Sequence, residues 1–195
     1  TTANPLGYLK YTYTASEIQP DMLNADITQT TDSPSWGGLY LQYFEKFDQV
    51  QQQKGILSVT KKLFIEKIGS DGKQELLPLG KEKLKTGDKV ITRLTLSLKQ
   101  DMDFLYLKDF RAACFEPIGQ LSGNQWKFGT VYYEESKDAV TNFFFNSLAK
   151  GTYVLEYPVW VNQAGTYQDG IATFQSMYAP EYTAYSEAGK ITVTK

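Results

Sequence analysis

Reactive chemistry in this sequence could gather at two groups of acids and one thiol. Glu134, Glu135 and Asp138 form one acidic group, and Asp101, Asp103 and Asp109 the other. Paired carboxylates are the apparatus of glycoside hydrolysis, one acting as acid and the other as base or nucleophile. Adjacent residues of a strand face opposite ways, so Glu134 and Glu135 cannot flank one bond unless the strand ends there. Both groups are expected to be solvated charges at strand ends or in loops, the usual place of Asp and Glu. Asp101-Met102-Asp103 offers loop oxygens to calcium, but the rest of an EF-hand pattern is missing. No metal or cofactor is expected.

The lone cysteine, Cys114, reads as a small buried hydrophobe rather than a reactive group. Histidine is absent altogether. That removes Ser-His-Asp and Cys-His nucleophiles, His-ligated zinc and iron, and the ordinary general base near neutral pH. The chain is therefore expected not to be an enzyme. Its formal charge of −2, with both signs interspersed, speaks against nucleic acid as a partner. No apolar run approaches the roughly 18 residues that a membrane-spanning helix requires. The start, Thr1-Thr2-Ala3-Asn4-Pro5, lacks an initiating Met and a signal-like apolar region, so the chain is read as part of something longer.

The elements that must position these residues are strands. Alternating apolar and polar positions, rich in β-branched and aromatic residues, run through 8–13, 23–28, 57–65, 89–98, 104–108, 127–133, 141–145, 152–161 and 170–178. Gly, Pro, Asp and Asn punctuate them at about 8 to 12 residues or somewhat more, the spacing of an antiparallel sandwich. Asp71-Gly72 predicts a hairpin turn, because Gly supplies a positive φ. Residues 38–50 suit a helix or a strand equally. The polar stretch Gln51-Gln52-Gln53-Lys54-Gly55 marks a boundary. It gives a β segment over 1–50, a linker over 51–56 and one sandwich domain over 57–195. Leu148, Gly151 and Tyr153 have the spacing of a corner where a Tyr hydroxyl ties a turn to a strand of an immunoglobulin-like sandwich. In Phe143-Phe144-Phe145 alternation sends the middle ring opposite to its neighbours. At least one ring must then pack under a loop, domain or partner, or stand exposed, which makes the triple a candidate interface.

Several blocks occur in an order that resembles one family. They are Gly87-Asp88-Lys89-Val90, residues 101–113, Phe115-Glu116-Pro117, Thr141-Asn142-Phe143-Phe144-Phe145, Lys150-Gly151-Thr152-Tyr153, and residues 175–182 including Met177-Tyr178-Ala179-Pro180. Together they resemble the C-terminal, receptor-binding-type macroglobulin-like domain of bacterial alpha-2-macroglobulins, from about residue 57 onward. Residues 1–50, with Pro34-Ser35-Trp36-Gly37-Gly38, resemble the segment returning from such a protein's thioester domain. The resemblance implies an all-β fold, an immunoglobulin-like or macroglobulin-like antiparallel β-sandwich preceded by a small β segment. It also implies a terminal, non-catalytic module of an extracytoplasmic protease-trapping inhibitor in the bacterial envelope. Its partners would be the upstream thioester domain, on which it docks, and, for the parent protein, proteases. Met177 and Tyr178 match the family pair that shields the thioester; the competing reading packs both in this domain's own core. Cys114-Phe115-Glu116-Pro117 is not the thioester motif Cys-x-Glu-Gln, because proline has no carboxamide to join to sulfur. The alternative function is a cell-surface β-sandwich module that binds carbohydrate or protein through exposed aromatic rings.

Overall fold

The structure, a computed structural model, describes residues 2–3, 7–30, 32–46, 49–52, 55–80, 83–119, 121–127 and 129–195. Thr1, Asn4 and Pro5 of the N-terminal stretch, Gln53 and Lys54 of the expected linker and Phe128 of the expected strand 127–133 lie outside them. The chain divides into two compact units, Thr1–Tyr43 and Phe44–Lys195.

Among its described residues the first unit has a single ladder, β1 (Thr2–Ala3) against β2 (Leu9–Lys10), and a 3₁₀ turn at Pro20–Leu23. Thr14 donates through both its N–H and its hydroxyl to one oxygen of Glu17, at 2.7 Å each. The strand expected over 23–28 does not form. Its alternation is real, but no neighbouring strand pairs with it, and an unpaired strand leaves its backbone groups to water. Of residues 38–50, expected as helix or strand, 38–46 are neither, and Phe47 and Asp48 lie outside the described residues.

The second unit is a β-sandwich, with the strands β3 (Leu57–Ile68), β4 (Gln74–Pro78), β5 (Leu84–Lys85), β6 (Lys89–Leu98), β7 (Met102–Phe110), β8 (Phe115–Pro117), β9 (Gly123–Lys127), β10 (Thr130–Ser136), β11 (Val140–Leu148), β12 (Gly151–Val161), β13 (Gly165–Asp169), β14 (Ala172–Ser176), β15 (Thr183–Tyr185) and β16 (Gly189–Thr194). One sheet has the order β15-β14-β7-β11-β10-β9 and the other β4-β3-β6-β12-β8. A third, smaller sheet runs β13-β16-β5, and its β5–β16 contact is parallel where the other ladders are antiparallel. The expected strand 127–133 is two strands, because β9 ends at Lys127 and β10 begins at Thr130, with Gly129 at φ +74° between them.

Strict alternation builds the core. Leu57, Val59, Leu63 and Ile65 of β3, and Val90, Leu94, Leu96 and Leu98 of β6, face Leu105 and Leu107 of β7, Phe143 and Phe145 of β11 and Phe174 of β14. Each large apolar side chain removed from water in this way stabilises the fold by about 1.5–3 kcal/mol. The β3–β4 hairpin turns at Asp71-Gly72 with Gly72 at φ +78°, and Gly69 N–H donates to Lys73 O at 2.8 Å. Tyr153 closes its corner with a 3.0 Å hydrogen bond from its hydroxyl to Ala149 O.

Candidate functional site

At the end of β14 the ladder with β7 reaches Ser176 opposite Leu105, and the next N–H, of Met177, donates to Phe104 O at 2.9 Å. There the chain leaves the sheet. Tyr182 N–H donates to Ala179 O at 2.9 Å and Ser176 N–H donates to Tyr182 O at 3.0 Å, so residues 177–182 form a tight turn around Pro180. The turn holds Met177 and Tyr178 outward, 49% and 78% exposed. Phe104 stands beside them, with its ring edge-on to that of Tyr178 at 5.3 Å between centroids. Its backbone is left-handed, φ +53°, which no other non-glycine residue shows among those described. The β7–β11 ladder keeps one register from Leu105–Phe145 to Asp103–Ser147, and the pair between them, at Phe104, is missing. Phe104 is unpaired on that side, and its ring lies at the surface while Leu105 and Leu107 point into the core.

The aromatic surface continues across the sheet. Tyr106 stacks on Phe144 with centroids 5.0 Å apart, and Tyr133 lies 6.2 Å from Phe144. Of the three consecutive phenylalanines, Phe143 and Phe145 are core residues, each 1% exposed. The outward contribution of the triple is therefore Phe144 alone, half-buried by its neighbours. Tyr106 donates to Asn142 Oδ1 at 2.9 Å, and Asn142 donates to Glu135 at 2.8 Å. That hydrogen bond, with one from Lys137, holds the Glu135 carboxyl below its ordinary range.

The two acidic groups do not converge on an open site. Glu134 and Glu135 face opposite ways as alternation requires, yet Glu134 is buried rather than solvated. Burial raises its carboxyl, and the Lys127 charge offsets only part of the rise. Asp101 accepts the Lys150 N–H at 2.7 Å, capping the turn into β12. Asp109 departs furthest from expectation, because it lies in the core rather than in water. Cys114 is fully buried, and burial pushes its thiol up to about 11.

Around Asp109 sits a buried charged cluster. Lys61 of β3 reaches across the sandwich to Asp109 of β7 and to Asp169 at the end of β13, with Nζ 3.0 Å from Oδ1 of each. Nζ also donates to Phe110 O at 2.7 Å and Gly170 O at 2.8 Å. Tyr157 of β12 donates its hydroxyl to Asp109 Oδ2. Arg111 stands nearby, bonded to Thr141 and to the carbonyls of Lys137 and Asp138. Burial alone would lower the Lys61 amine, but the two facing carboxylates more than offset it and hold it charged. Burial raises the carboxyls of Asp109 and Asp169 despite that ammonium. Gly170 makes the arrangement possible, since a Cβ there would lie 2.2 Å from Phe110 O. The signal for this cluster is in the sequence: the apolar alternation of β3 and of β7 places Lys61 and Asp109 on inward positions. Among the described residues no three or more acidic or cysteine side chains group as metal ligands.

The architecture is that of the macroglobulin-like sandwiches. The profile of the bacterial alpha-2-macroglobulin MG10 domain matches residues 57–181, and the chain belongs to that family. Solved structures agree in fold. A point mutant of Salmonella alpha-2-macroglobulin matches at a TM-score of 0.58 and 20% identity, covering 75% of this chain and 10% of that one. Trypsin-activated alpha-2-macroglobulin from Escherichia coli matches at 0.57 and 17%, over 75% of this chain and 11% of that one. The native conformation of the Escherichia coli protein matches at 0.56 and 17%, over 80% and 10%. This chain thus spans about a tenth of the length of those proteins. No curated protein sequence matches it.

Proposed function

We propose that this chain is the terminal, non-catalytic module of an extracytoplasmic protease-trapping protein, and that it docks on an upstream thioester domain of the same polypeptide. Met177 and Tyr178, backed by Phe104, form the cover over the thioester. The observation that carries this reading is the outward placement of an adjacent thioether and phenol beside a well-filled core. A thioester persists only where water and amines are kept away, and an adaptable thioether next to an aromatic ring makes a dry closure. A carbohydrate-binding face has less support, because Tyr106 and Phe144 stack on each other rather than presenting open ring faces.

The test is the amine reactivity of the parent protein in the absence of protease, read as thiol release with methylamine. Tyr178→Ala should speed release about tenfold or more, equivalent to roughly 1.4 kcal/mol less favourable closure. An unchanged rate would overturn the assignment.

A further inference from the structure

The Lys61 cluster has the composition and placement of a bond-forming site rather than of a simple ion pair. An ammonium and carboxylates taken out of water are costly, and replacing such groups by apolar ones is often neutral or stabilising. Here one ammonium faces two carboxylates, with the Lys61 and Asp109 side chains 3% and 0% exposed. Two of its N–H groups are taken by Phe110 O and Gly170 O. The remaining valence faces Oδ1 of Asp109 and Oδ1 of Asp169, and neither oxygen accepts any other hydrogen bond. The other oxygen of Asp109 is already held by the Tyr157 hydroxyl.

We propose that Lys61 and Asp109 condense to an isopeptide bond, with Asp169 relaying the protons and Tyr157 polarising the reacting carbonyl. One proton of the Lys61 ammonium passes by way of Asp169 to Oδ1 of Asp109, leaving a neutral amine beside a neutral carboxylic acid. The amine lone pair attacks Cγ of Asp109, and the electron pair of the Cγ–Oδ2 double bond moves onto Oδ2, where the Tyr157 hydroxyl stabilises it. On collapse that double bond re-forms and the Cγ–Oδ1 bond breaks. A second amine proton, relayed again by Asp169, leaves with Oδ1 as water. An ammonium and a carboxylate become one amide and one water, Asp169 ends as it began, and no oxidant or cofactor is needed.

Two physical terms drive the reaction. The fold holds the amine nitrogen 3.0 Å from Oδ1 of the carboxyl, which replaces an encounter in solution. The dry core also favours a neutral amide over separated charges. Asp109 is the acceptor because it sits wholly buried in mid-sheet with Oδ2 polarised by Tyr157. Asp169, at a strand end and 14% exposed, is placed to exchange protons. Burial keeps both carboxyls above their ordinary range, which helps each of them to hold a proton. The bond would join β3 of one sheet to β7 of the other. The inference goes beyond the docking function and does not depend on it.

The experiment is intact-mass measurement of the denatured chain, followed by proteolytic digestion. The wild-type chain should be lighter than its sequence by one water, and the digest should contain a branched peptide joining Lys61 to Asp109. Asp109→Ala should show the full sequence mass. Asp169→Asn should remain largely unlinked, and Asp169→Glu should restore linkage. A folded wild-type chain of full sequence mass overturns the proposal whatever the variants do, as does a link from Lys61 to any other residue. Complete linkage in Asp169→Asn would overturn the relay.

Discussion

In the ion-paired chain, before Lys61 and Asp109 condense, replacing Lys61 by Met removes the ammonium and keeps the length of its stem. Two buried carboxyl groups then face each other without a cation between them, and the carbonyls of Phe110 and Gly170 lose their donor. Removing one partner of a buried charge pair costs about 3–5 kcal/mol. Each orphaned buried acceptor adds about 1–3 kcal/mol. Protonation of one carboxyl and local relaxation recover part of this, so the expected net loss at pH 7 is about 4–5 kcal/mol, a large share of the roughly 5–15 kcal/mol of a typical domain. With a urea slope of about 2 kcal/mol per molar, the midpoint should fall by roughly 2 M. Trp160, on β12 of the sandwich, provides the fluorescence signal. The pH dependence has a definite sign. Asp109 and Asp169 already have raised pKa values in the folded chain through burial. A carboxyl raised on folding contributes stability that is present below its unfolded pKa and is lost as pH rises through the folded one. Losing the ammonium raises both further, so the penalty should be smaller at pH 5 than at pH 8. A midpoint at pH 8 within about 0.3 M of the uncondensed wild-type chain, or a penalty that grows towards acid, would refute this account of the cluster.

Three further outcomes are expected. Cys114 should resist thiol reagents until the chain unfolds. Because burial raises its thiol to about 11, wild type should also lose stability relative to Cys114→Ala as pH climbs from about 9 towards 11, by up to roughly 2–3 kcal/mol in urea titrations. Gly170→Ala drives a Cβ onto backbone rather than a movable side chain, so a loss of about 2–4 kcal/mol is expected in thermal melts; a melt like wild type would show that the approach is less tight than described. Tyr178→Ala should cost the isolated chain less than about 1 kcal/mol, since the edge contact with Phe104 is its ring interaction; a larger loss would assign the ring a role inside the domain.

The sandwich was legible because its long strands are strictly alternating. The expected strand 89–98 is β6 residue for residue, and 152–161 falls one residue short of β12. Alternation fails as a guide where pairing decides, as at 23–28, which has the pattern of a strand and no partner. It also fails across a short turn, as between Lys127 and Thr130, where two strands read as one. The candidate surface was half visible. Met177 and Tyr178 could be named from their resemblance to a family motif, but exposure depends on a turn closed by Ala179 and Tyr182, which periodicity does not encode. Phe104 was missed because nothing in its sequence neighbourhood announces a left-handed backbone. The charged cluster was missed for a different reason. A lysine and an aspartate on inward positions are read as surface charges by residue type, and only the register of Leu57, Val59, Leu63 and Ile65, with that of Leu105 and Leu107, shows them to be internal. Asp169 is brought to them by the third sheet, which no local pattern foretells.

The backbone at Phe104 has a consequence for how this domain would respond to selection. A bulky residue held at φ +53° carries strain of order 1–3 kcal/mol, which glycine would release. Laboratory evolution of the isolated domain for heat resistance alone should thus drift towards glycine there and discard the aromatic ring. Evolution under a requirement to keep a neighbouring domain seated should hold the ring in place and tolerate the lower melting point.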